Sequence, residues 1–448
     1  MTNYLQKVLL PQYSHVNKVY CLLAAAVFCA LPLCSTEAAA ENILKYDGTT
    51  NIHGNAKTWA AKNEYDGIDI RVTGVDGGYY TDTTEALVLN NQTLNVKGKG
   101  KVVSIINTAQ NKQIDNNGGI YAKGGSTVNF TDVDSIYIAA IAGKEGGNDS
   151  TVISAKDPGS DMKGYTNTVN ISGTAVQLIG SIDVMHSLGS VFFNRNARHT
   201  VNAALSGADS FWYGSAIGEM DERTSVNLSL ADGATWIFNA GKSTLNAGGI
   251  IRNLKLDKGV VLFADAEVWE TYRKTVIKGT DYVLANYRDH NERYSQVEIR
   301  SLTGPGGIFK MDLDWLSNNG ERQYTEKSDF ITIGKAEDGS HQIVEFDIGK
   351  AHLDEIKNGD KLYFASVESG NTTFSTNADG EINRADELYR FALHTKSEED
   401  ETDQLTYWFL TKSIGSANEN VDFLNNAVLA SFSLASDLDR FHERQGEA

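Results

Sequence analysis

The chain has 448 residues and a formal net charge of −18. An acidic excess of this size argues against nucleic acid and anionic lipid as partners, because both would be repelled. All three cysteines, Cys21, Cys29 and Cys34, lie ahead of Glu41, so the chain beyond that point folds without disulfides even in an oxidising compartment.

Residues 1–40 read as a signal peptide. Lys7 and Lys18 form a sparse positive region, Val19 to Leu33 is apolar, and Ala38-Ala39-Ala40 supplies the small-residue cleavage site. Cleavage is expected after Ala40, with Ala38 at the other recognised position and Glu41 as the first mature residue. The apolar run is too short, and too interrupted by Pro32, to predict a membrane span. Cys34 raises the question of lipidation, but the bulky Leu33 before it argues against that. The expected fate is export, and the long stretch ahead of the apolar run is common in large exported bacterial surface proteins.

Residues 41–90 read as the opening coils of a repeat, with strand-like Gly67–Val72 and Ala86–Leu89. From there a short motif recurs. Thr93-Leu94-Asn95-Val96, Thr127-Val128-Asn129-Phe130, Thr168-Val169-Asn170-Ile171, Thr200-Val201-Asn202-Ala203 and Ser225-Val226-Asn227-Leu228 are copies, and Arg252-Asn253-Leu254 closes the series. The asparagines are separated by 34, 41, 32, 25 and 26 residues, the period of a solenoid. After each copy come a polar or Gly-bearing break and a second apolar run, such as Ile136-Tyr137-Ile138, Phe211-Trp212-Tyr213 and Trp236-Ile237-Phe238. Apolar residues alternate with polar ones within the motif, so Val128 and Phe130 share a face. One unit cannot bury that face alone, whereas a stack shares a continuous core. No stretch between residues 90 and 265 keeps a helical apolar period. The fold class predicted is all-β: a parallel β-helix over residues 41–300.

In such a stack Asn95, Asn129, Asn170, Asn202, Asn227 and Asn253 fall in register. The expectation is a structural ladder of amides or a plain turn role, with a binding row for a repetitive ligand as the functional alternative. Residues 142–167, rich in Gly, Asp, Ser and Lys, read as a surface loop that lengthens one repeat. Val268–Asn291 is more charged and reads as a strand-and-loop excursion.

A new section opens with Leu302-Thr303-Gly304-Pro305-Gly306-Gly307-Ile308-Phe309. It continues with Ser328-Asp329-Phe330-Ile331-Thr332-Ile333, then Gly339-Ser340-His341, then Lys361–Ser366, and ends on the pair Leu388–Leu393 and Tyr407–Leu410. The acidic run Ser397–Asp403 between the last two reads as a hairpin tip. Val421, Leu424, Val428, Phe432, Ala435, Leu438 and Phe441 then recur at helical spacing.

These segments resemble the C-terminal end of a pertactin-like autotransporter passenger, by motif over about residues 300–447 and by architecture before that. The resemblance implies a right-handed β-helix, with residues 301–412 as an autochaperone-like section that folds first. It also implies that residues 413–448 are a linker helix leading into a translocator β-barrel. Such a barrel needs about ten strands or more. None is legible before Ala448, so the expectation is a fragment of a longer chain, a truncated gene, or a barrel on another chain. With a barrel the passenger belongs at the bacterial outer membrane or cell surface, and without one it is secreted or periplasmic.

Catalytic signatures are sparse. There is no Gly-x-Ser-x-Gly, the nine histidines lack ligand spacing, and His442-Glu443-Arg444-Gln445-Gly446 has Gly446 where a zinc helix needs its second His. Asp132 with Asp134, and Asp312 with Asp314, are the carboxylate pairs a polysaccharide-cleaving solenoid would use. Aligning the repeats follows Asp132 with Gly173, Leu205 and Leu230, which makes no acidic stack. The expected function is therefore a non-enzymatic passenger, without cofactor or metal, that contacts a host or neighbouring-cell ligand. A polysaccharide lyase or hydrolase and a bare structural stalk are the alternatives.

Overall fold

In the computed structural model the described residues are 42–51, 62–75, 84–109, 117–142, 151–156, 164–184, 196–218, 221–238, 250–263, 283–284, 294–315, 328–352, 355–377, 379–382, 389–417 and 419–446. The leader, with Ala38, Ala40 and Glu41, lies outside them, as does most of Val268–Asn291.

The described chain is mostly strand with one helix, and most of its strand pairs are parallel, an arrangement consistent with a solenoid. A 22-stranded sheet has two flanks, and a five-stranded sheet lies beside it. The first flank stacks Thr93–Lys97, Thr127–Val133, Thr166–Gly173, Arg198–Ser206 and Thr224–Ala231. The second includes Gly67–Val75, Val102–Ala109, Ser135–Ala142, Val176–Ile179, Phe211–Gly214 and Thr235–Phe238. The long strands Ile250–Phe263 and Gln296–Lys310 run through both flanks and join them.

Alternation places every second side chain inward, and register then piles like on like. In the second flank Ile70, Ile105, Ile138, Leu178, Trp212, Trp236, Val261, Phe309 and Val344 form one buried column. In the first, Val96, Phe130, Ile171, Ala203, Leu228, Leu254, Leu302 and Ala336 do the same. Both columns belong to one contiguous core that extends from Leu44 to Leu410. Trp212 and Trp236 stack with ring centroids 5.2 Å apart and planes 5° off parallel. Each indole N–H donates 2.9 Å to a corner carbonyl one rung earlier, Gly180 and Gly214 respectively. Gly214 has φ 151°, and a Cβ there would meet the Gly180 oxygen at 2.2 Å, so only glycine fits that corner.

The five-stranded sheet was not read from the sequence. It comprises Thr84–Asn90, Asn117–Lys123, Thr151–Ala155, Ser181–Asp183 and Ala216–Ile217, with Leu87, Ile120, Ile153, Ile182 and Ala216 in its inner column. It corrects the reading of residues 142–167 as one surface loop, because Thr151–Ala155 is a strand buried along its whole length. Val152 and Ile153 supply the apolar pair that the surrounding glycines obscured.

After the parallel rungs the direction changes. Lys361–Ser369 pairs parallel with Phe330–Ala336 on one edge and antiparallel with Leu405–Ala417 on the other. Tyr389–Asp400 completes a hairpin with that last strand, so the acidic run occupies its end and tip. Glu419–Gly446 is the single helix among the described residues. Phe423 and Phe432 on it are 72% and 71% exposed.

Candidate ligand-binding face

Three parallel columns run through the outward positions of the first flank, with the exposed Arg198 beside them in register with Thr166. One is Thr93, Thr127, Thr168, Thr200 and Ser225, in continuous register. The next is the asparagine column, two residues further along each strand. The last holds Lys97 and Thr131, then Ser172, Ala204, Ser229, Lys255 and Thr303.

All six sequence-predicted asparagines lie in the middle column, and their amides form one chain. Asn129 Nδ2 donates to Asn95 Oδ1 at 2.8 Å, Asn170 to Asn129 at 2.8 Å, and Asn202 to Asn170 at 2.7 Å. Asn227 donates to Asn202 at 2.7 Å and Asn253 to Asn227 at 2.6 Å. At the other end Asn95 donates to the carbonyl of Asn63 at 3.1 Å. Every bond points the same way, towards the earlier rung. An amide carries two N–H donors and two acceptor lone pairs. An Asn inside the row therefore spends one of each on its neighbours and keeps one of each for a ligand or water. Beside the row, Thr200 Oγ1 and Ser225 Oγ lie 3.3 Å apart.

A shallow groove of about 310 Å³ follows this face and is lined by Asn170, Asn202, Asn227, Asn253, Ser229 and Lys255 among others. A second depression of about 550 Å³ meets it at Lys255 and continues over Thr303, Pro305, Glu337 and Ser340. The sequence singled out the asparagines but not the hydroxyl columns beside them. The signal was present, since Thr or Ser stands two places before the Asn in five copies of the motif.

A separate polar stack at the start of the same strands also escaped the sequence reading. Asn167 Oδ1 accepts the backbone N–H groups of Gly125 and Ser126 at 2.9 and 3.0 Å, and its amide nitrogen lies 3.1 Å from His199 Nδ1. Both side chains are buried, and the stack fixes the turn into the first flank.

Asp132 heads no acidic stack along the rungs. Asp132 sits in the left-handed region at φ 57°, where the ladder slips, so Gly173 faces Val133 and not Asp132. That corrects the repeat alignment by one residue; Gly173, Leu205 and Leu230 do follow one another. Asp314 is buried and accepts from Tyr294 Oη at 2.9 Å, with His352 Nδ1 also at 2.9 Å. Asp329, equally buried, accepts the backbone N–H groups of Ser295 and Asp312, both at 2.6 Å. These are clamps between chain segments. Among the described residues no cluster of three or more His, Cys, Asp or Glu could hold a metal ion.

No family model, curated protein or solved structure matches this chain.

Lys156 and Tyr137, on other faces, are among the titrating groups displaced from their ordinary values. Burial would lower Lys156, but the carboxylate of Asp183, 2.7 Å away, outweighs it and holds the ammonium above its ordinary value. Burial alone pushes the Tyr137 hydroxyl up to about 12. Among the described residues no helix is long and apolar enough to cross a membrane.

Proposed function

We propose that the chain beyond its leader is a right-handed parallel β-helix, the exported passenger of a pertactin-like autotransporter. On this reading it works at the bacterial surface, or after release from it, by adhesion or cell contact and without catalysis. The observation that carries the reading is the register of the buried column from Ile70 to Val344, which passes through the Leu302–Phe309 motif without changing partner type.

Three further features support it. The segment Lys361–Ala417 closes the first flank's final parallel strand, Lys361–Ser369, with an antiparallel partner, as a section that folds first and templates the others would. The terminal helix exposes Phe423, Leu429, Phe432 and Leu434, which suits a segment leading into the enclosed space of a translocator barrel. The absence of cysteine after Cys34 leaves no covalent lock to obstruct passage of an unfolded chain.

The test is to produce the chain in a Gram-negative host with a translocator barrel joined after Ala448, then add protease to intact cells. The expected result is digestion from outside, with binding to neighbouring or host cells before digestion. A chain that stays protected inside the cell overturns the passenger reading, and turnover of a glycan by the purified protein overturns the non-enzymatic part.

A further inference from the structure

We propose that the outer face of the first flank is a binding track for a linear, neutral glycan lying along the stack. The proposal rests on the adhesion reading above and names the ligand class of that surface.

Charge is the first argument. Charged residues make up 22% of the chain, yet the three outward columns carry none from the rung of Thr127 to that of Thr224–Ala231. Arg198, Asp132 and Lys255 border this strip, but its centre carries no charge with which to attract a cationic partner or select a carboxylate or phosphate.

Hydrogen-bonding capacity is the second. Each Asn inside the row has one donor and one acceptor left after its ladder bonds, and the flanking hydroxyls of Thr200, Ser225 and Ser229 both donate and accept. A face offering both roles at every rung matches a ligand whose own groups hold both, which describes sugar hydroxyls.

Periodicity is the third. Parallel rungs repeat about every 4.8 Å, so a polymer with a repeat of similar length meets equivalent partners on successive rungs. The continuous groove at this face, from Asn170 to Lys255, gives it a bed. An extended peptide fits less well. Peptides join sheets at strand edges through unpaired backbone groups, and the strands here have neighbours on both sides.

The test uses the full chain and insoluble neutral glycans: cellulose, β-1,3-glucan and starch, with a polyuronate and a protein-coated resin as comparison surfaces. We expect retention on at least one neutral glycan, insensitive to added salt and reversed by soluble oligomers of the same sugar. Ala204 is exposed and takes no part in the amide row. A204W obstructs the track without removing any member of that row, and S229E puts a charge on it. Both variants are expected to lower affinity by about tenfold or more while thermal unfolding stays unchanged. Retention only on the polyuronate or the protein resin overturns the proposal, as does wild-type affinity in both variants. If the wild type adheres to cells but to no neutral glycan, the glycan track is wrong and the adhesion reading stands; if it adheres to neither, both fall.

Discussion

From Thr127 to Phe263 the flanks stack parallel strands that face like with like: Asn on Asn, Trp on Trp, Val on Val. From Lys361 to Ala417 two strands still pair parallel, Lys361–Ser369 with Phe330–Ala336 and Thr373–Thr376 with His341–Glu345. The other pairs there are antiparallel and mixed, with Tyr363 opposite Phe409, Ala365 opposite Trp408 and Ser366 opposite Tyr407. The first region is specified by repetition, since each rung offers the next a copy of itself. Repetition has no natural end, and a last parallel strand would leave a row of unpaired backbone groups open to other chains. The second region stops the pile by changing direction on the strand Lys361–Ser369, and that strand is individually tied. Its Lys361 bonds Glu398 on the hairpin, and Tyr363 Oη donates to the same carboxylate at 2.6 Å.

The comparison can be broken most forcefully in the stacked region. W212A removes one of the two largest buried side chains, its stacking on Trp236 and the bond to the Gly180 carbonyl, and should cost about 3–5 kcal/mol in urea unfolding. Y363A in the end region should act differently. Loss of its ring contacts with Tyr407 and Phe409 is expected to increase protease cleavage from the C-terminal side before the stacked rungs loosen. Limited proteolysis followed by mass mapping separates the two patterns.

Next in size is D329A, at the junction between the regions. The N–H groups of Ser295, buried, and Asp312, partly buried, lose the Asp329 carboxyl as acceptor, so a loss of about 3 kcal/mol is expected, with D329N recovering part of it. Smaller again is the amide row. N202A breaks two side-chain bonds and should cost about 1 kcal/mol, whereas N253A, at the exposed end, should cost less. A double-mutant cycle between Asn170 and Asn202 would measure their coupling, and zero coupling would remove the row from the account of stability.

The smallest effect is alkaline. Lys156 is raised above its ordinary 10.5, so its contribution is fully present below that value and fades as pH climbs through the folded one. Tyr137, raised to about 12, acts in the same direction, because unfolding frees it to ionise sooner. Melting temperature should therefore fall above about pH 10.5, and K156M should flatten part of that slope. The pair is partly exposed, so the change is under about 1 kcal/mol.

Legibility followed repetition. The Thr-x-Asn copies and the second apolar runs could be aligned by eye, and they locate both flanks and the amide row. The five-stranded sheet repeats only a weak pattern: Ile120, Ile153, Ile182 and Ala216 share a column, but their neighbours include glycine, tyrosine, serine and aspartate. Two-strand units were therefore read where a third strand also pairs. Asp132 failed for a different reason. A left-handed residue inserts one position into a rung, and no composition signal marks an aspartate in that conformation. The hydroxyl columns were visible as letters, but their meaning depends on knowing that the flank turns them to one open side.

The amide row has a last consequence. Its donors all point one way, so the asparagine dipoles add instead of cancelling, and the two ends of the row are chemically unlike. One end terminates on the Asn63 carbonyl; the other brings the Asn253 oxygen to the level of Ser301. If the pile is assembled from its C-terminal side, every finished layer offers a hydrogen to the layer arriving above it. A layer slipped along its strand would bring no asparagine oxygen to that hydrogen, so the row favours one alignment of each arriving strand.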